Sequence, residues 1–169
     1  MSFGLLLLRL IIGLGLAGHG AQKSFGWWGG SGWKGALAMA QNNGFRPAPV
    51  FAGLLVAGEL LAGLGIAVGF LTPFACIGAV LTMAMAIRIA HWRWAFFAKG
   101  GGVENPLLYA LSSLSLVFTG PGSWSLDHAI HLEYSTAVVV VVSAVLVVVT
   151  LGGWLFRQRN TATVPAASH

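Results

Sequence analysis

From Tyr134 to Phe156 the chain runs for twenty-three residues without a charged side chain, and valine dominates the stretch. In water such a β-branched run reads as a strand. In hydrocarbon a lone strand leaves its backbone donors and acceptors unsatisfied, whereas a helix satisfies them within the segment. About 20 apolar residues cross a slab of roughly 30 Å. The stretch therefore predicts a membrane-spanning helix, and it fixes the solvent in which the rest of the chain must fold.

Four more apolar segments precede it: about Phe3–Gln22, interrupted by Arg9 and His19; about Ala48–Leu71, with Glu59 as its single charge; about Phe74–His91; and a short one, about Pro106–Thr119. The 169 residues are 57% hydrophobic and 8% charged, against about 45–50% and about 25% in soluble domains. Too few charges remain to cover a water-soluble surface, so the surplus apolar surface must face lipid. The expected architecture is all-α: a four-helix transmembrane bundle over residues 1–133, an additional transmembrane helix over 134–156 and a short cytoplasmic tail over 157–169. The start, Ser2 to Gly18, reads as a retained first span rather than a removed leader.

The connections support this division. Trp27-Trp28-Gly29-Gly30 ends the first span, Lys34–Asn43 predicts a short surface helix stopped at Asn43-Gly44, and Leu71-Thr72-Pro73 is a tight hairpin. Asn105-Pro106 opens the fourth segment, and Ser125 predicts the cap of a surface helix over Leu126–Glu133. Lys23, Lys34, Arg46, Arg88, Arg93, Lys99, Arg157 and Arg159 fall on one side of a five-span layout, with Arg9 near the other. By the positive-inside rule the N-terminus lies outside and the C-terminus in the cytoplasm of an inner membrane. The net charge of +5 is thus a topology and lipid-headgroup signal, not one for nucleic acid.

The buried polar residues are the functional candidates. Arg9, Gly13, Leu16, Gly20 and Lys23 form one helical stripe, with His19 at its margin. Gly13/Ala17, Gly58/Ala62 and Gly65/Gly69 are small-residue pairs that permit close helix contact. Glu59, in mid-span, requires a partner, and matching the depths of the first two spans predicts an Arg9–Glu59 pair. His19, Lys23, Arg88, His91, Lys99 and Glu104 are expected to gather into a polar pocket at the membrane surface. Histidine would carry protons there, with lysine or arginine as charge partners. In this reading His19, Lys23, His91 and Glu104 are the catalytic candidates, and Arg9, Glu59, Arg88 and Lys99 the cofactor-binding ones. His128 and His131 read as part of a solvated surface helix, and Cys76 as a packing residue. One cysteine excludes an internal disulfide and a CxxC pair. No nucleotide loop, catalytic triad or zinc signature occurs, and neither metal nor haem is expected.

Several of these residues stand in a recognisable order. Leu7-Leu8-Arg9-Leu10 followed by Gly18-His19-Gly20-Ala21-Gln22-Lys23-Ser24-Phe25-Gly26-Trp27 resembles the opening of the DoxX family. Gly58-Glu59-Leu60 with Gly63 and Gly69, the stretch from His91 to Gly101-Gly102-Val103-Glu104-Asn105, and Thr119-Gly120-Pro121-Gly122-Ser123 with Ser125-Leu126-Asp127 resemble its later blocks. The resemblance covers about residues 4–130 and implies a four-helix membrane protein in membrane redox chemistry. Family relatives are described as the membrane subunit of thiosulfate:quinone oxidoreductase and as partners of soluble redox enzymes in oxidative-stress complexes. It implies Arg9, His19, Lys23, Glu59, His91 and Glu104 as the matched polar residues. The chain departs from the pattern at Pro73, where relatives often carry a basic residue, and in its extra C-terminal span.

The leading expectation is a membrane subunit of a quinone-dependent oxidoreductase, with quinone as cofactor and a partner protein or a second copy beside it in the lipid. A non-catalytic assembly subunit and a small-solute transporter stand as alternatives.

Overall fold

The computed structural model describes residues 2–91 and 102–162, and among these it is helical with no strand. Helix α1 runs Ser2–Phe25. A single tight turn at Trp27–Gly29 leads into α2, Gly32–Asn42. Helix α3 spans Ala48–Val68, α4 Thr72–Ala86 with a wider turn continuing over Ile87–His91, α5 Glu104–Thr119, α6 Leu126–Ala129 and α7 Thr136–Ala162.

The expected local signals set most boundaries. Asn43 closes α2, its side-chain amide donating to the Met39 carbonyl at 2.9 Å. Pro49 sits in the first turn of α3, where its missing N–H costs nothing. Ser125 caps α6, accepting from the His128 amide at 3.2 Å. That helix stops at Ala129, not at Glu133 as expected. The valine-rich segment is helical, as hydrocarbon requires. It continues to Ala162, past Phe156 and into the expected tail, because Arg157, Gln158 and Arg159 are themselves good helix formers.

Helices α1 and α3 lie antiparallel at a separation that only glycine allows. A methyl group added at Gly13 would strike the backbone of Gly63 and Ala67; one at Gly63 would strike Gly13 and Ala17; one at Gly20 would strike Leu60. The predicted stripe of α1 is this interface, with Arg9, Gly13, Leu16 and Gly20 all buried. On its other face α3 meets α4 through Gly58 against Thr82 and Gly65 against Ala75. Leu16, Ile66, Cys76, Ala79, Met83 and Leu116 fill the centre between α1, α3, α4 and α5. A second cluster, Ala36, Ala40, Phe45, Ala48, Ala52 and Val56, folds α2 onto the first half of α3.

Four helical segments among the described residues are long and apolar enough to cross a membrane: Phe3–Phe25, Ala48–Val68, Thr72–Ile89 and Thr136–Leu155. The 16 residues of α5 reach about 24 Å, short of a full hydrocarbon slab.

Exchanging Gly63 for Leu should force α1 and α3 apart and sharply lower the yield and melting temperature of folded protein in detergent. Overpacking of this kind costs about 1–3 kcal/mol or more. The same exchange at Gly4, whose surroundings are open, should leave both unchanged.

Candidate functional site

The register of α1 on α3 decides which buried charges meet. Gly13 faces Ala67, Ala17 faces Gly63 and Gly20 faces Leu60, so Glu59 stands level with Ala21. It is twelve residues along α1 from Arg9, about 18 Å at 1.5 Å per residue. No arginine side chain covers that distance, and the expected Arg9–Glu59 pair does not form. Lys23, half a turn beyond Ala21, takes the partner's place: its ammonium donates to Glu59 Oε1. Distance from the middle of each span does not match the two residues, because α1 and α3 are offset along their axes.

Glu59 is 1% exposed and Lys23 28%, so the pair has one end inside the bundle and one end open. The second carboxylate oxygen, Oε2, is buried and has no hydrogen-bond partner among the described residues. A half-satisfied carboxylate in a low-dielectric interior is a strong acceptor waiting for a donor. One turn before Lys23, the exposed His19 stacks edge-on against Tyr109 of α5, ring centroids 5.8 Å apart at 85°. The Tyr109 hydroxyl fits the notch left by Gly15. Glu104 opens α5, where the helix N-terminus favours a carboxylate, and its Oε2 too is buried and unpartnered among the described residues.

The remaining members of the expected pocket do not all join. Arg88 turns towards α7, its guanidinium 5.6 Å from the ring centroid of Trp154. Lys99 and the side chain of His91 lie outside the described residues. Among those that are described, no three His, Cys, Asp or Glu side chains form a metal-binding group.

Arg9 belongs to a second polar centre at the opposite end of the bundle. It is fully buried, donates through Nη2 to the carbonyl of Trp124, and packs Nη1 against Gly69, where a methyl group would overlap it. Gly69 also has φ 70°, a left-handed conformation that favours glycine. Asp127 stands within electrostatic range of the guanidinium. It is 3% exposed, whereas His128 and His131 beside it are exposed as expected of a solvated surface helix. Its carboxylate accepts from the Leu71 and Thr72 amides, both at 2.9 Å, from the Thr72 hydroxyl at 2.7 Å and from the Tyr134 hydroxyl at 3.0 Å. Asp127 thus caps α4 from 55 residues away, and α4 has no side-chain cap of its own. Burial, and then the hydrogen bond and charge of Asp127, push the Tyr134 phenol up to about 12. The phenol accordingly stays protonated and donates at physiological pH. No local pattern signals this cap, since the helix it serves lies far along the chain.

A family model for DoxX matches residues 4–92, which contain α1 to α4 and the residues Arg9, His19, Lys23 and Glu59. The chain belongs to the DoxX family. No curated protein and no solved structure matches it significantly. The family match and the apolar helices together make this a multi-pass membrane protein. The expected later blocks around Glu104 and Asp127 lie beyond the matched region.

Replacing Lys23 by Ala strands a buried carboxylate and should destabilise the protein by about 3 kcal/mol in detergent unfolding. Adding Glu59→Gln should restore most of that loss, and a cycle showing no coupling would break the pair. Asp127→Ala leaves two amides and two hydroxyls without their acceptor and should cost about 3 kcal/mol. Tyr134→Phe removes one of these bonds and should cost about 1 kcal/mol by the same measurement.

Proposed function

We propose that this DoxX-family protein is the integral-membrane subunit of a quinone-linked redox system, and that the Lys23–Glu59 pair is its headgroup site. The observation that carries the reading is the buried, half-satisfied Glu59 carboxylate joined to a partly exposed Lys23. A quinone, when bound, takes up two electrons and two protons at its carbonyl oxygens. The side chains fit that group: the Lys23 ammonium, held by Glu59 Oε1, would donate to a carbonyl oxygen, and the unpartnered Glu59 Oε2 would be the atom that takes up and releases a proton. His19, exposed one turn away, passes protons at the lipid-facing edge. Electrons come from a partner protein. Arg9 is a structural residue in this reading, which separates it from the cofactor-binding set.

In the same reading α5 completes a fifth crossing. It packs Leu116 into the bundle centre beside Cys76 and Ala79, and its short length matches the Gly120 turn that follows. The N-terminus then lies outside and the C-terminus in the cytoplasm of the inner membrane. Lys23, Lys34, Arg46 and Arg88 gather at the cytoplasmic end.

One observation favours a second reading, a non-catalytic assembly subunit. The membrane-crossing part of α7 has none of its residues fully buried within this chain, which leaves the side turned away from α4 for a partner.

Titrating a short-tailed quinone against the protein in nanodiscs, followed by quenching of its tryptophans, separates the two. Saturable binding that weakens at least tenfold in Lys23→Ala/Glu59→Gln is expected. An absence of saturable binding to the native protein removes the quinone reading and leaves the assembly role.

A further inference from the structure

A groove of about 940 Å³ runs along the outside of the bundle on the face of α3 turned away from α1. That volume falls at the upper end of the roughly 300–1,000 Å³ typical of small-molecule sites. Its walls are α3 and α4 over the whole length. In the half nearer Arg88 it gains α7, through Leu146, Val149 and Gly153, the end of α2, through Met39, and Phe45 of the link that follows. The lining is apolar in effect. Its two threonines, Thr82 and Thr150, each donate to a carbonyl one turn back, both at 2.8 Å. The groove is therefore deepest in one half of the membrane and shallower in the other.

The charge at its deep end is of one sign. Arg88 lies over Trp154, next to the lining residue Gly153, and Arg46 is exposed next to the lining residue Phe45. The Trp154 indole N–H is buried and unpartnered among the described residues, a further donor at that end. The carboxylates lie elsewhere: Asp127 and Glu133 belong to the opposite end, Glu59 is held on Lys23, and Glu104 is on α5, which contributes nothing to the lining.

We infer that this groove is a binding site for an anionic phospholipid of the leaflet at the Arg88 end. The acyl chains lie between α3, α4 and α7, and the phosphate is held by Arg88, Arg46 and the Trp154 indole. Two cations and an N–H donor at the depth of the headgroups suit a phosphate with a net negative headgroup better than a zwitterion. This does not rest on the quinone reading, because Glu59 faces α1 and the groove lies on another side of α3.

The test is native mass spectrometry of the full chain after exchange into equal amounts of phosphatidylglycerol and phosphatidylcholine with identical acyl chains. The native protein should retain phosphatidylglycerol at least fivefold over phosphatidylcholine. Arg46→Ala/Arg88→Ala should bring the ratio to about one. Gly78→Leu should strip both lipids with its helix content and melting unchanged. A side chain there enters the groove, and its first carbon meets Ala62 at an ordinary 3.9 Å. Equal retention of the two lipids by the native protein overturns the proposal. So does undiminished retention in a folded Gly78→Leu variant, or a lipid-free dimer in which a second copy fills the groove.

Discussion

The close antiparallel contact of α1 with α3 sets the position of almost everything else. Backbones meet at Gly13, Gly63 and Gly20 because no side chain intervenes, and such contact locks the register of the two helices to within a residue. In lipid, where burial of apolar surface provides no net drive between helices, this packing is what holds α1 in place. Once the register is fixed, Lys23 can reach Glu59 and Arg9 cannot.

The two polar centres that result differ in kind. Around Arg9 and Asp127 the groups are enclosed and serve the chain itself: a carbonyl, two amides and two hydroxyls are paired, Arg9 Nε and Nη1 stay buried without a hydrogen-bond partner among the described residues, and the ends of α3, α4 and α6 are tied to the approach to α7. Such a cluster makes the end of the bundle rigid. Around Glu59 one carboxylate oxygen accepts from a partly open lysine and the other is buried without a partner among the described residues. What separates the two is access: Arg9 is fully enclosed, whereas the 28% exposure of Lys23 opens the Glu59 centre, and the proposed headgroup site rests on that opening.

Much of this was legible in the residues. The polar stripe of α1, the Asn43-Gly44 stop, the Ser125 cap and the helical state of the valine run follow from periodicity, local hydrogen bonding and the demands of hydrocarbon on the backbone. The buried state of Glu59 was equally plain, because a lone carboxylate in an apolar span has no water near it. Asp127 was not legible. Flanked by His128, His131 and Glu133 it looks like part of a wet surface helix, and its hydrogen-bond donors come from a helix start 55 residues earlier. Tyr109 carried no signal either, since its notch is a glycine on another helix.

Hydropathy, capping and motif order within short stretches suffice for the solvent, the helical class, the approximate ends of the helices and the family. Which charge meets which, where the groove runs and the burial of Asp127 emerge only when the helices pack. Those outcomes depend on the axial offset between helices. That offset is set by small-residue contacts summed over a whole interface, and no single segment encodes it.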